Sequence, residues 1–181
     1  EAAALIGPAE QAMKWFRAIG KDAGKHNEPL QWTTPSGLLV QQKYMAAKVK
    51  RIRMHYLSDV QMDIKINVDD DVELDTKRMA NALSPNVLHS MDASHMAMAT
   101  LHAKDHGVTN VAGVHDCFVT TPAEMEQLRD SVRAAFAALY SESWLDSLSN
   151  QLARRRGAEL PCPVTGQLDL SQVKSSDYFI T

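Results

Sequence analysis

The sequence predicts an α+β fold in which helices and antiparallel strand pairs follow one another along the chain. Three segments carry strand signals: a Pro-Ser-Gly turn inside 30–40, an apolar-polar alternation in 60–68, and a β-branched run at 111–121. The segments around them place apolar residues at helical spacing. With 181 residues and 45% hydrophobic content, the chain can bury the core of one or at most two domains.

The first part of the chain is expected to hold one helix and two strand pairs. Pro8 suits the first turn of a helix that runs to about Lys25. The 30–40 hairpin follows, with Trp32 as a packed anchor rather than a platform for stacked bases. Segment 49–56 carries charge on both faces, so it is an edge strand or surface ribbon, and 60–68 is expected to pair antiparallel with it.

The middle of the chain predicts two successive helices. The first covers about 72–83, and the second starts with Ser84 as N-cap and Pro85 in its first turn. Gly107 is expected to end this second helix near residue 106.

Two further helices are expected after the 111–121 run. Residues 121–124 have the pattern of a capping box with proline at the first helical position, which predicts a helix start. Another helix is expected over about 142–156, and the turn-rich tail from Pro161 ends in apolar residues that should dock on the fold.

Composition and charge limit the functional classes. No segment is apolar for long enough to span a bilayer, and two cysteines are too few for a disulfide framework, so we expect a soluble, intracellular protein. Residues 1–56 hold nine Lys/Arg against four Asp/Glu, a net +5, whereas residues 57–181 hold ten against eighteen, a net −8. The basic part of the chain could bind phosphates, and the acidic part could bind a metal ion. An ordinary solvated mixture of charges explains the composition as well.

The 111–121 run is the most informative stretch, because a histidine and a carboxylate interrupt it. Burying an ionised Asp116 costs several kcal/mol unless a cation or donor pairs with it. A metal ion is therefore one interpretation of the His115-Asp116 pair. The plain alternative is a core strand that ends in a turn, with both side chains hydrogen-bonded to nearby backbone.

Two other polar clusters have competing interpretations. Lys48, Lys50, Arg51 and Arg53 stand among aromatic residues, which suits contact with a nucleic-acid backbone but equally an edge strand kept soluble by its charges. Histidines at 102 and 106 have the spacing of a zinc pair, but the glutamate of the HExxH motif is missing, so zinc is discounted.

Four stretches together resemble one family, the single-subunit DNA-dependent RNA polymerases of bacteriophages and mitochondria. Residues 85–96, P-N-V-L-H-S-M-D-A-S-H-M, are similar to its P-N-F-[IV]-H-S-x-D-x-S-H segment, with valine in place of the usual phenylalanine. Residues 114–118, V-H-D-C-F, resemble its third palm motif, and 32–37 match its W-x-T-P-x-G turn. The closing segment from 168 is similar to the family's end. The four motifs occur in the family's order.

The resemblance implies both a reaction and a set of site residues. Asp116 matches a metal-ligating aspartate of a site where two Mg²⁺ ions support nucleotidyl transfer from NTPs to an RNA 3′ end. His115 matches the catalytic-site histidine beside it, and His89 one that contacts nucleic acid in the minor groove. The basic residues Lys48, Lys50, Arg51 and Arg53 become nucleic-acid contacts.

The resemblance also implies an organisation. Residues 1–84 would be a fingers-side segment, and residues 85–181 the C-terminal part of the palm of a right-hand polymerase. Tyr178, Phe179 and Thr181 would pack near the catalytic site.

The expected second aspartate and nucleotide-binding lysine have no match here, so the chain is expected to be part of a larger enzyme and inactive alone. DNA template, RNA product, NTPs and the remainder of the polymerase are the implied partners, with no membrane. The location would be the cytoplasm of a phage-infected bacterium or the mitochondrial matrix. An HD-type metal phosphohydrolase, whose His-Asp pair lies on a helix, and a non-catalytic nucleic-acid-binding module derived from a polymerase are the alternatives.

Overall fold

The structure is a computed structural model, and it describes residues 2–46, 48–54, 60–66, 73–114, 117–156, 161–166 and 168–177. Only the backbone is described for residues 2–6, 48–54, 60–66 and 155–156. These ranges combine α-helices with two-stranded antiparallel sheets, which confirms the α+β class. No helix within them is long and apolar enough to cross a lipid bilayer.

Helix α1, Ala2–Lys25, starts earlier than the sequence predicts. Pro8 lies inside the helix rather than in its first turn, so that prediction is wrong. The ring removes one backbone donor close to the helix end, and the alanine- and leucine-containing residues before it have high helix propensity, so the helix extends through them. Its buried face carries Phe16, Ile19 and Ala23.

The predicted 30–40 hairpin is confirmed. Strand β1, Leu30–Thr33, pairs antiparallel with β2, Leu39–Gln42, in a register that places Trp32 opposite Val40. Gly37 adopts φ 85° at the turn, a value that side chains other than glycine rarely adopt. Trp32 is 1% exposed, which confirms its role as a packed anchor.

The basic segment forms a two-stranded ribbon. Strand β3, Lys48–Met54, pairs antiparallel with β4, Val60–Ile66, and this confirms the predicted pairing. The register sets Lys50 opposite Ile64 and Arg51 opposite Asp63. Residues 55–59, which connect the two strands, lie outside the described residues.

Helix α2, Thr76–Asp105, replaces the two helices that the sequence predicts. Its N-cap is Asp75, whose carboxylate accepts a hydrogen bond from the backbone N–H of Arg78 at 2.9 Å. Ser84 is therefore not an N-cap, and Pro85 lies mid-helix. Burial on both sides of the proline, at Leu83 and Val87, keeps the helix continuous despite one lost hydrogen bond.

Helix α2 ends where the sequence predicts. Gly107 has φ 86°, and the backbone N–H of Val108 donates to Ala103 at 3.0 Å. This closing geometry is typical of a helix C-terminus followed by glycine. The start of the predicted first helix, at residue 72, lies outside the described residues.

A second hairpin and three α-helices complete the described part of the chain. Strands β5, Ala112–Val114, and β6, Cys117–Val119, pair antiparallel. A 3₁₀ turn at Pro122–Glu124 leads into α3, Met125–Ser141, which is followed by α4, Trp144–Arg156, and α5, Ser171–Ser175. The predicted helix over 142–156 is confirmed.

Two clusters of buried residues hold these elements together. The larger joins α1, β1, α2 and α4. In it Gly20 lets α1 approach α2 closely, since a Cβ there would lie 2.5 Å from the carbonyl oxygen of Met79. The smaller cluster joins the C-terminal half of α2 to α3, with Val111 and Phe118 of the hairpin region packed against it. The second hairpin therefore rests on the α2–α3 pair.

Candidate functional site

The β5–β6 hairpin is the element that bears the His115-Asp116 pair. Val114 of one strand pairs with Cys117 of the other, so His115 and Asp116 are the two residues that connect the strands. His115 and Asp116 lie outside the described residues, and the positions of their side chains stay a prediction. The strands on either side of the pair are those expected of a palm hairpin, whereas an HD-type hydrolase would need a helix there. The local structure therefore disfavours the hydrolase alternative.

The strands of this hairpin are more exposed than the apolar sequence predicts. Val114 is 64% and Val119 57% exposed, and only Phe118 of the described strand residues is partly buried. The reason is that Phe118 packs against α2 and α3 on one side of the hairpin, whereas no other described element covers its second side.

The base of the hairpin is closed by the carboxylate of Glu124. Its Oε1 accepts hydrogen bonds from the backbone N–H of Thr109 at 3.1 Å and from the Thr109 hydroxyl at 2.8 Å. Its Oε2 accepts from the hydroxyls of Thr120 and Thr121, each at 3.1 Å. The Thr109 backbone donor, followed by the Thr109 hydroxyl, lowers the pKa of Glu124 from 4.5 to about 2.

These contacts correct the capping box that the sequence predicts at 121–124. The Thr121 side chain makes no capping bond to the helix backbone, and a 3₁₀ turn precedes α3. The Glu124 side chain instead reaches across to Thr109, on the far side of the hairpin. Competing donors are the physical reason, because three threonine hydroxyls and a free N–H converge on one carboxylate. Sequence reasoning missed this role, although threonines at both ends of the hairpin were visible.

His95 connects the 85–96 motif to the hairpin. Its Nε2 lies 2.9 Å from the carbonyl oxygen of Val132 on α3. Its ring stands edge-to-face with Phe118 of β6 and with Phe136 of α3, at centroid distances of 6.0 and 5.5 Å. One side chain of α2 therefore contacts both the hairpin strand β6 and helix α3.

The exposed face of the same motif carries His89. His89 and Asp92 are exposed on α2, on the side opposite the buried Val87 and Met91. Burial is the larger cause that raises the pKa of Tyr140, and the negative charge of Asp92 is the second. The Asp92 carboxylate therefore lies near the end of α3. His89 is thus available to a ligand outside the described chain.

Serines on the buried side of the motif bind the Trp32 turn. The indole N–H of Trp32 donates to the Ser90 hydroxyl at 3.1 Å, and the hydroxyls of Ser36 and Ser94 lie 3.1 Å apart. Asn86 donates from Nδ2 to the side-chain oxygen of Gln42 at 2.9 Å. The motifs at 32–37 and 85–96 are therefore directly bonded to each other, which their separation in sequence does not reveal.

The remaining site residues lie apart from this cluster or outside the described residues. Lys48, Lys50, Arg51 and Arg53 lie on β3, and only their backbone is described. Tyr178, Phe179 and Thr181 lie outside the described residues. The tail just before them is held by the buried Arg133 of α3, whose Nη1 donates to the carbonyl oxygen of Lys174 at 3.2 Å. No sequence pattern singled out this arginine.

The donor set for a metal is limited in the described part of the chain. There, no group of three or more His, Cys, Asp or Glu side chains is placed to hold an ion. His102 and His106 stack at 4.1 Å with nearly parallel rings instead of converging on a common point. Asp116 offers a carboxylate oxygen, the ligand type that Mg²⁺ prefers.

Comparison with known proteins identifies the family. A sequence profile of the family described as DNA-dependent RNA polymerase matches residues 3–160. The chain is 35% identical over 180 residues to DNA-directed RNA polymerase 2, chloroplastic/mitochondrial, of Arabidopsis thaliana. It is 34% identical over 177 residues to DNA-directed RNA polymerase 3, chloroplastic, of Nicotiana sylvestris. Each alignment covers 97% of this chain and 17% of the relative.

A phage enzyme matches as well. The chain is 28% identical over 189 residues to the DNA-directed RNA polymerase of Enterobacteria phage T3, an alignment that covers 94% of this chain and 21% of the phage protein. The α+β fold of the described residues is compatible with these matches. The chain belongs to the single-subunit DNA-dependent RNA polymerase family of the phage and mitochondrial type. It spans about a sixth of the length of the plant relatives.

Proposed function

We propose that this chain is the C-terminal catalytic part of a DNA-dependent RNA polymerase that transfers nucleotides from NTPs to an RNA 3′ end on a DNA template. The observation that supports this most is the β5–β6 hairpin, which carries the His-Asp pair between its strands and rests on α2 and α3. The family membership supports the same reaction. In this proposal residues 85–181 belong to the palm of a right-hand polymerase, residues 1–84 to the fingers side, and α2 crosses between them.

Asp116 is the residue that we assign to metal binding. Asp116 would be one ligand of bound Mg²⁺, and the metal would supply activation of the attacking 3′-hydroxyl and neutralisation of charge on the triphosphate. In this proposal Asp116 supplies a carboxylate oxygen, and His115 beside it orients the reacting groups. The second aspartate comes from a part of the polymerase outside these 181 residues.

Nucleic acid is assigned to two surfaces. His89 lies exposed on α2, in the motif whose opposite side is bonded to the Trp32 turn, so it has a rigid base from which to contact a minor groove. The second surface is strand β3, which pairs with a single strand, β4, in the described residues. Its basic residues contact phosphates, namely Lys48, Lys50, Arg51 and Arg53.

The end of the chain is assigned to the neighbourhood of the catalytic site. The Arg133 bond to Lys174 directs the tail along α3, the helix that also contacts His95. Tyr178, Phe179 and Thr181 pack against that region. The remainder of the polymerase completes the site, and the enzyme works in the cytoplasm of a phage-infected bacterium or in the mitochondrial matrix.

Replacing the proposed metal ligand in the complete polymerase tests the assignment. Asp116→Asn keeps the shape of the side chain and removes its charge, so nucleotide addition should fall by a factor on the order of 10²–10³ or more. Template affinity should stay within about twofold. Asp130→Asn, an exposed carboxylate of α3, is the matched control and should extend RNA normally. Near-normal RNA extension by the Asp116→Asn variant would contradict the metal-ligand assignment and favour the non-catalytic binding module.

A further inference from the structure

The β5–β6 hairpin needs support beyond its own hydrogen bonds. Each strand has three residues, and a two-stranded hairpin of this size is marginally stable by itself. Phe118 and Val111 hold one face to the α2–α3 pair, and Gly113 passes close to α2, where a Cβ would lie 3.0 Å from the sulfur of Met96. These contacts fix one face of the hairpin but do not tie its two ends together.

Glu124 supplies that tie. Thr109 precedes β5, and Thr120 and Thr121 follow β6, so the two carboxylate oxygens join the incoming and outgoing chain segments at the base of the hairpin. The Thr120 hydroxyl also lies 2.6 Å from the carbonyl oxygen of Asn110 and shares its single hydrogen between the two acceptors. An ionised carboxylate that accepts several donors is among the stronger hydrogen-bonded arrangements in proteins.

A helix-capping role alone does not account for these contacts. A capping glutamate would return to the backbone N–H at the start of its own helix. Here the longest-range partner is Thr109, fifteen residues earlier in the chain, and it donates two of the hydrogen bonds. Glu126, two residues further along, is exposed and makes no such contacts in the described residues, so the arrangement is particular to position 124.

We propose that Glu124 is a positioning residue for nucleotidyl transfer, which fixes the direction of the β5–β6 hairpin and thereby the place of Asp116. The proposal rests on the proposed function of Asp116. Catalytic groups must be held within about 0.5 Å of their productive geometry, and a shift of about 1 Å can lower a rate by about a hundredfold. A tie across the base of a short hairpin limits the swing of its far end.

The test uses the complete polymerase and two independent readouts. Glu124→Gln keeps the side-chain length and one acceptor oxygen but loses the charge, Glu124→Ala removes the tie, and Glu126→Gln is the matched control. Steady-state nucleotide addition gives kcat and KM. Hydrogen exchange of peptides from 109–121, measured without nucleotide or metal, reports the hairpin itself.

We expect Glu124→Ala to lower kcat by a factor on the order of 10–100, with KM for NTPs changed less than about threefold. Glu124→Gln should give a smaller fall in the same direction. Exchange should quicken in 109–121 and stay unchanged in α1 and the first half of α2, and Glu126→Gln should match the wild type in both readouts.

Four results would overturn the proposal: no change in either readout, faster exchange with unchanged kcat, lower kcat with unchanged exchange, or faster exchange throughout α2 and α3. The last would mean that Glu124 supports general stability only. Failure of the proposed function is recognised separately, by normal extension in Asp116→Asn, because the exchange measurement does not depend on catalysis.

Discussion

The indole N–H of Trp32 donates a hydrogen bond of 3.1 Å to the hydroxyl oxygen of Ser90, and both residues are buried. Ser90 in turn donates to the carbonyl oxygen of Val87 at 2.7 Å. The hydroxyl is therefore both donor and acceptor at the contact between the Trp32 turn and α2. This bond joins two motifs that lie 58 residues apart.

Ser90→Ala should destabilise the chain by about 1–3 kcal/mol, because it leaves the Trp32 N–H buried without an acceptor. In a Trp32→Phe background, Ser90→Ala should lower the free energy of unfolding by less, because no indole N–H remains to be left without an acceptor. Chemical denaturation of the four variants of this cycle measures the difference. Equal costs in the two backgrounds would show that the hydrogen bond adds nothing to stability.

The lowered pKa of Glu124 leads us to expect a loss of stability in acid. Its pKa is lowered to about 2 in the folded chain from 4.5, so its contribution to the free energy of unfolding is fully present above about pH 4.5. As pH falls through the folded pKa near 2, protonation removes that contribution. The stability difference between wild type and Glu124→Gln should therefore shrink from pH 5 to pH 2. A constant difference would contradict the lowered pKa.

The β3–β4 ribbon predicts a salt effect. Replacing Lys50, Arg51 and Arg53 by Gln in the complete polymerase should weaken nucleic-acid binding without sequence preference. It should also reduce the slope of log affinity against log salt by roughly one per lost phosphate contact. Lys21→Gln, on α1, is the control. Because successive residues of a strand alternate between its two faces, single variants should reveal which face meets the phosphates. An unchanged slope would leave solubility as the role of these charges.

The hydrogen bond from Arg133 to Lys174 should protect the C-terminal tail from proteolysis. Its hydrogen bond holds the carbonyl of Lys174, which is the scissile carbonyl for trypsin. Losing a hydrogen bond from a charged donor costs about 1.5–3 kcal/mol, so Arg133→Met should speed cleavage after Lys174 by about tenfold or more. Arg129→Met, one turn earlier and paired only with its neighbour Asp130 in the described residues, should leave the rate unchanged. Equal cleavage rates in wild type and Arg133→Met would mean that α5 is held by Val173 alone.

The 181-residue chain by itself is predicted to bind Mg²⁺ weakly and to extend no RNA primer. One hairpin carboxylate is a poor site, because Mg²⁺ parts with its waters reluctantly. The chain should also associate through exposed apolar residues around the hairpin and α2, namely Leu88, Leu101, Val114 and Val119. Calorimetric titration, primer extension and sedimentation measure the three properties. Robust extension would mean that a second metal-binding acid lies within these residues.

The sequence by itself determined the class of fold, most of the elements and the family. Apolar periodicity and turn residues are local signals, so the hairpin around Gly37, the β3–β4 pair and the end of α2 at Gly107 were predictable. The motifs also marked His89 and the His115-Asp116 pair as site residues. Those assignments depend on residue type and order, which need no coordinates.

Only the tertiary structure decided what those elements touch. Local rules placed a helix start at Pro85, but burial of Leu83 and Val87 keeps α2 continuous through it. The same rules made Glu124 a helix cap, whereas folding brings Thr109 within its reach and redirects the carboxylate to the hairpin. Burial and long-range hydrogen bonds depend on residues that are distant in sequence, and these contacts outweigh the local preferences of a single turn.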